Sequence, residues 1–581
     1  MMKRLLTYFK KYNLRLILSF FFALISSSVA LLTPFVTGRA IDKIIDKGNV
    51  DFNAVKSIII LLLIMFAVSA AFQWAVTMLA TKISYNITSD LRKEAFEKIN
   101  NMPLSYFDKT PHGDIMSRLT NDIDTVSDGL LQGMTQLFMG VITFVGSLIL
   151  MFKLNILITL IIIIVTPAAF IVSSFIAKNI SKHFTKQSKI VGELNSYAEE
   201  MITNSLLIKT YSLGDEVDRK FKKINSELYT YGQKAQWFSS LINPTTRLIN
   251  NIVYIFVGVI GSILALNGEV FIGNFKISGV VTVGLIVSFL TYASQFAKPI
   301  NDITSVSTQL QGASASLKRI FEVIDNETED NSEKNMLNVT DGKVVFENVS
   351  FSYDKDKKLI ENLNLEIKPN SIVAIVGSTG AGKTTLVNLL MRFYELDSGR
   401  ILIDNQDISK VTKESLRTSF AMVLQDAVLF NSTIADNISY GKPDATSEEI
   451  INAAKSAHIH KAIINMKDDY DTILGESDGD LSVGQKQLLT IARAMLLNPK
   501  MLILDEATSN VDTLTEIYIQ RSFKKMMADK TTFIIAHRLS TIKYADVILV
   551  MENGKVVQKG THKELLKQGG TYKKIYESQF Q

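Results

Sequence analysis

No cysteine occurs in the 581 residues, so disulfides and thiolate metal sites play no part; a chain without thiols suits a reducing cytosol. Charge bias is nearly absent as well. The 62 Lys and Arg against 57 Asp and Glu leave a net charge of +5, too small at this length to indicate nucleic-acid binding. No internal repeat is evident. No cleavable leader is expected in this start: Lys3, Arg4, Lys10, Lys11 and Arg15 precede an apolar stretch too long for a signal peptide, with no small-residue cleavage site. This start reads as the cytosolic end of a first membrane helix.

The absence that says most is local. No charged residue falls within Leu16–Val36, Ser57–Thr81, Leu130–Phe152, Leu154–Ala177, Leu248–Gly268 or Ile277–Ala297. Each stretch is about 20 residues or more, enough for a helix to cross roughly 30 Å of hydrocarbon. A mid-bilayer charge costs about 2.5–3.5 kcal/mol on insertion scales, so six such gaps in one half of a chain argue six spans rather than buried helices of a large soluble protein. Pro34 and Pro167 lie inside or at the edge of spans, where membrane helices tolerate kinks.

The connections alternate. Those after the first, third and fifth spans are short; residues 82–129 and 178–247 are long, charged and helical in pattern. Helices there are expected to run about 30–40 Å beyond the bilayer at ~1.5 Å per residue. Lys298-Pro299 opens an amphipathic stretch ending near Ile324, which closes an all-α transmembrane domain over residues 1–324. Asp325 to Thr340 is acidic and polar, a linker by composition. Short β-branched runs then alternate with helical patterns through residues 341–581, which argues an α/β domain with a mixed sheet.

Chemistry is concentrated in that second half. Gly377-Ser378-Thr379-Gly380-Ala381-Gly382-Lys383-Thr384-Thr385 follows the apolar run Ile372–Val376 and precedes a helical pattern. It fits the phosphate loop G-x-x-x-x-G-K-[ST] in the strand–loop–helix context that pattern requires. Backbone N–H groups would close around the phosphates, Lys383 would reach the β- and γ-phosphates, and the Thr384 hydroxyl would hold Mg²⁺. The chain therefore binds a nucleoside triphosphate. Met501–Leu504 reads as a buried strand ending in Asp505-Glu506. Asp505 is placed to hold Mg²⁺ through water, and Glu506 to polarise the attacking water as general base.

In this order and spacing the motifs resemble the ATP-binding cassette (ABC) exporter family, six spans and a cassette on one chain, over essentially the whole sequence. The resemblance implies a P-loop ATPase domain with a helical subdomain, ATP and Mg²⁺ as cofactors, and a second half-transporter subunit as partner. Leu481-Ser482-Val483-Gly484-Gln485 resembles the family signature, in which Ser482, Gly484 and Gln485 would serve the γ-phosphate of ATP held by the partner. Tyr353 matches the aromatic residue that stacks on adenine. Gln425 matches the glutamine that touches Mg²⁺, and His537 the histidine at the γ-phosphate. Ser509-Asn510-Val511-Asp512 matches the loop at the dimer interface. Pro103–Asp108, with Gly113, Ser117-Arg118 and Asp122, is similar to the short transverse helix through which exporters pass cassette motion to the spans; its counterpart is expected near Thr210–Gly214. ATP is cytosolic, so both termini are expected inside the cytoplasmic membrane, with the basic start in agreement.

One position departs from the family. Val483 stands where the signature commonly has glycine, and a backbone packed against phosphate favours glycine. An altered signature beside an intact Glu506 resembles one subunit of a heterodimer; the alternative is a homodimer that tolerates valine. The resemblance implies export by alternating access. Spans almost wholly apolar, with Phe20, Phe21, Phe22, Trp74, Phe138 and Phe296 among their aromatics, suit hydrophobic or amphipathic cargo such as drugs or lipids, although each ring also reads as packing or lipid contact. A rival of another class is a nucleotide-gated channel or sensor without pumping, for which a catalytic base has little use.

Overall fold

The computed structural model describes residues 2–46, 49–267, 270–272, 275–278, 281–329, 335–355, 357–475, 481–505, 511–535 and 542–578. In chain order the helices are α1 (Met2–Lys10), α2 (Asn13–Ile41), α3 (Phe52–Asn100), α4 (Leu104–Lys109), α5 (His112–Ser117), α6 (Ile123–Leu154), α7 (Ile156–Thr203), α8 (Ser205–Thr210), α9 (Gly214–Asn267) and α10 (Val283–Ile324). Two hairpins interrupt them: β1 (Ile44–Asp46) with β2 (Asn49–Val50), and β3 (Val270–Ile272) with β4 (Phe275–Ser278). The chain divides into two compact units, residues 1–100 with 112–326, and residues 101–111 with 327–581.

The first unit is helical. Asn13–Ile41, Phe52–Asn100 and the run His112–Leu154 are long and apolar enough to cross a membrane, and Ile156–Thr166 and Asn250–Leu266 add shorter apolar stretches. Ile59, Leu63 and Phe66 on α3 stay exposed, which in water would be a costly apolar patch and in hydrocarbon is not. Phe20, Phe21 and Trp74 are exposed too, whereas Phe296 is buried and stacked on Phe144 at 4.8 Å, so its ring is packing rather than cavity lining. The sixth charge-free stretch is helical only from Val283. Ile277 and Ser278 belong to β4, and the helix starts where the Thr282 hydroxyl accepts from Leu285 N.

Small residues and polar glue join α2 to α10. A Cβ on Gly38 would lie 2.3 Å from Gly284 O, and one on Gly284 would lie 2.0 Å from Gly38 O, so only glycines allow this approach. Pro34 inside α2 donates no N–H, and α10 supplies donors nearby: Ser288 Oγ donates to Pro34 O at 2.9 Å and Tyr292 OH to Leu31 O at 2.8 Å. Outside the spans, one π-helical turn (Arg118–Asp122) carries the buried Asp122, which accepts from Ser316 Oγ and from the Arg319 guanidinium. Arg319 holds that carboxyl below its usual range.

The second unit opens with α4, then continues from residue 327. Its elements are β5 (Val344–Phe351), β6 (Ile360–Ile367), β7 (Ile372–Gly377), α11 (Lys383–Leu390), β8 (Ser398–Ile403), β9 (Gln406–Asp407), α12 (Lys413–Thr418) and β10 (Phe420–Val423). There follow α13 (Ile434–Ser439), α14 (Ser447–Ser456), α15 (His460–Ile463), α16 (Val483–Leu497), β11 (Met501–Asp505), α17 (Thr513–Met527), β12 (Thr531–Ile535), β13 (Val547–Glu552), β14 (Lys555–Gly560), α18 (His562–Gln568) and α19 (Thr571–Ser578). One sheet runs β10-β11-β12-β7-β13-β14, parallel except for β14; an antiparallel sheet runs β6-β5-β8-β9. The parallel strands are buried nearly throughout, as strands covered on both faces must be. Helices α13–α16 form the helical part of the cassette.

The stretch with linker composition is not free chain at its far end. Leu337 is buried, and backbone N–H groups of Thr340, Asp341, Gly342 and Lys343 all donate to the Asp404 carboxylate. Composition averages over the one apolar anchor and cannot see an acceptor more than sixty residues away.

Candidate nucleotide site

Four parallel strands end at one edge of the main sheet, and strand order decides what meets there. β7 runs into the phosphate loop, β10 into Gln425 and β11 into Asp505. β12, between β11 and β7, ends at Ile535, two residues before His537. In register, Val423 lies beside Leu504, Asp505 beside Ile535, and Ile535 beside Ile375. Sites in such sheets form outside the carboxyl ends of the strands. Residues separated by more than a hundred positions thus face one another without any local signal having said so. Glu506, Ser509, Asn510 and His537 lie outside the described residues.

The loop shows why its residue types are needed. Gly380 and Gly382 have φ of +80° and +94°, where side chains with a Cβ are strained. A Cβ on Gly377 would lie 2.3 Å from Met551 O. Ser378, Thr379 and Gly380 are exposed at the mouth, while Ala381 and Gly382 are buried beneath. Lys383 is buried, with its ammonium donating to Gly377 O at 2.8 Å and Ser378 O at 3.0 Å. Burial pushes its pKa down from the ordinary lysine value, and the Asp505 carboxylate opposes that fall. A cation folded back on its own loop is poised to exchange two carbonyls for phosphate oxygens. Thr384 is exposed on the first turn of α11 and Thr385 is buried.

Tyr353 follows β5, half exposed, its hydroxyl donating to Thr385 Oγ1 at 3.3 Å. Phe351 and Tyr394 both pack edge-on against it, with centroids 4.9 Å away. Tyr394 carried no signal in the sequence, because a lone tyrosine after a helix reads as packing. Gln425 is exposed just beyond β10.

The signature segment lies at the start of α16. Ser482 and Gln485 form a capping box: Ser482 Oγ accepts from Gln485 N at 3.2 Å, and Gln485 Oε1 accepts from Ser482 N at 2.8 Å. Gly484 is buried, and a Cβ there would lie 2.5 Å from Thr515 Cγ2 and 2.7 Å from Val511 Cγ1. Within this chain, then, Gly484 is required by packing of α16 on α17. Val483 is 58% exposed and touches none of that packing.

Thr384, Gln425 and Asp505 offer oxygen donors, the chemistry that suits Mg²⁺, which is held by one or two carboxylates plus substrate phosphates. Among the described residues no group of three or more His, Cys, Asp or Glu could hold a metal without such help.

Residues 16–300 match the family described as ABC transporter transmembrane region, and residues 360–509 match the ABC transporter family. The Bacillus subtilis (strain 168) ABC transporter ATP-binding protein YfiC is 39% identical over 100% of this chain and 94% of its own length. A fatty acid ABC transporter ATP-binding/permease protein of Mycobacterium bovis is 41% identical over 90% of this chain and 81% of its own. The solved structure of a bacterial Atm1-family ABC exporter with ATP bound superposes with a TM-score of 0.78 at 28% identity, covering 98% of both chains. Likeness that runs end to end through helices and cassette alike makes this chain a member of the ABC transporter family, a fused half-transporter of the exporter type that resides in the membrane and couples ATP hydrolysis to transport.

Proposed function

We propose that this chain exports hydrophobic or amphipathic compounds, lipids or drugs, across the cytoplasmic membrane by alternating access, as one subunit of a heterodimer with both termini cytosolic. The observation behind the cargo class is the apolar character of the spans; a relative named for fatty acids agrees. Tyr353 would stack on adenine, the loop from Gly377 to Thr385 would bind the phosphates, and Thr384, Gln425 and Asp505 would hold Mg²⁺. That ion would neutralise charge developing on the γ-phosphate. Glu506 would take the proton of the attacking water, and His537 would contact the γ-phosphate. Closure around two ATP molecules would open the cavity outward, and hydrolysis would reset it.

One feature supports a partner of different sequence, and another supports a second subunit of either kind. Val483 is exposed, so a penalty from its side chain would fall on the partner's ATP rather than on this chain's fold. Ile202, Leu206, Leu207 and Tyr211 on and around α8 are exposed outside the apolar spans, an unpaired surface that a second subunit would cover. Membership in a family of transport-coupled ATPases argues against the gated channel without pumping.

Reconstitution with a co-purified half-transporter into vesicles tests this reading with a fluorescent fatty acid as probe. ATP-dependent movement is expected, with Glu506→Gln binding ATP normally and turning over about 10²–10⁴-fold more slowly. Robust hydrolysis by this chain alone removes the case for a heterodimer, and hydrolysis without movement of apolar probes removes the cargo class.

A further inference from the structure

Three aromatic rings lead from the nucleotide site to α4. Tyr353 is held from one end by its hydroxyl on Thr385 and from its edge by Phe351. Tyr394 meets it nearly at right angles, 89° between planes and 4.9 Å between centroids. The Tyr394 hydroxyl in turn donates to the Asp108 carboxylate on α4. Rotation of Tyr353 therefore moves the ring whose far end grips α4. Among the described residues the Lys383 ammonium bonds to Gly377 O and Ser378 O of its own loop, whereas Thr385 at the end of that loop meets the aromatic line only through the Tyr353 hydroxyl. By the chain itself, α4 and the short α5 lie between α3 and α6, so a pull on Asp108 acts on the segment that joins two long helices.

We propose that Tyr394 is a positioning residue that makes α4 respond to the nucleobase, beyond its response to the phosphates. A base stacked on the half-exposed ring of Tyr353 fixes that ring's tilt; the edge-to-face pair passes the constraint to Tyr394, and the hydroxyl passes it to Asp108. A triphosphate without a base leaves Tyr353 free to tilt, so α4 is held less firmly. This proposal rests on the reading of Tyr353 as the stacking residue.

The absence of cysteine supplies a clean reporter. A fluorophore on Lys109→Cys, at the end of α4, reads that helix alone in the full chain with its partner in nanodiscs. The probes are AMP-PNP and inorganic tripolyphosphate, each with Mg²⁺. AMP-PNP is expected to shift the signal about fivefold more than saturating tripolyphosphate, the scale of an edge-to-face aromatic pair, and Tyr394→Phe or Asp108→Asn to reduce the AMP-PNP shift about fivefold, the scale of the hydroxyl–carboxylate hydrogen bond each one removes or weakens. AMP-PNP affinity in both variants stays within about threefold of wild type, since neither side chain meets the nucleotide. The double variant loses no more than either single one. A full shift with tripolyphosphate, or an undiminished AMP-PNP shift in Tyr394→Phe, overturns the proposal. Tyr353→Ala separates the two levels. Unchanged AMP-PNP affinity there sinks the stacking reading and this proposal together, whereas lost affinity there with an intact shift in Tyr394→Phe sinks this proposal alone.

Discussion

Replacing Gly484 by alanine separates two roles a signature glycine can play. Motif reasoning makes glycine a concession to an approaching phosphate, while the fold makes it a concession to α17. The new Cβ would lie 2.5 Å from Thr515 Cγ2 and 2.7 Å from Val511 Cγ1, over an ångström inside ordinary contact at ~3.8 Å. Both neighbours are β-branched and stiff at χ1, and the Asp512 side chain that accepts from Thr515 N pins the turn between them. Overpacking costs about 1–3 kcal/mol, and two contacts this close to stiff neighbours take the upper part of that range, about 2–3 kcal/mol, of which alanine returns ~1 kcal/mol as helix propensity. A net loss of about 1–2 kcal/mol lowers the Tm of a domain this size by about 2–8 °C. Scanning calorimetry or intrinsic fluorescence of the full chain in detergent measures it. Val483→Gly is the control: its side chain is solvent-facing, so Tm moves by no more than ~1 kcal/mol of propensity dictates. An unshifted Tm in Gly484→Ala together with lost ATP turnover would refute the packing argument.

Lys383→Ala removes a buried ammonium from the phosphate loop, and ATP affinity by equilibrium binding should fall about 10- to 100-fold, the worth of charged hydrogen bonds; an unchanged affinity places the phosphates elsewhere. Arg319 holds the Asp122 pKa below the ordinary carboxylate value, so the stability it contributes is complete above about pH 4 and is lost as pH falls through the depressed value. Asp122→Asn should therefore lower Tm at pH 7, and the gap to wild type should close under acid; a gap that widens in acid contradicts the assignment. Tyr292→Phe deletes the buried bond to Leu31 O, and unfolding in mixed micelles should show a loss of about 0.6–1.7 kcal/mol, the range for bonds between membrane helices.

Much of this protein was legible from local pattern. Freedom from charge over about 20 residues marks helices that hydrocarbon accepts, because each charge carries its penalty wherever the chain goes. The loop from Gly377 to Thr385 declares phosphate chemistry by itself, since backbone N–H groups, a lysine and a hydroxyl act within nine consecutive residues. Helix extension past the spans also followed from composition: α3 runs to Asn100 and α7 to Thr203.

Elsewhere the pattern misled or was silent. Leu337 looked like linker and Ile277 like membrane helix, and burial and a hairpin decided otherwise; for Phe296 the sequence left cargo contact and packing both open, and its stacked partner makes it packing. The chain by itself determined which segments are apolar enough for lipid and which loop has the phosphate-binding pattern, because those features rest on solvation and on neighbours a few residues away. Only the tertiary structure set Gln425 and Asp505 at the strand ends beside that loop, gave Gly484 to α17, and linked Tyr353 through Tyr394 to Asp108. Those depend on strand order and helix packing, which join residues that share no sequence neighbourhood.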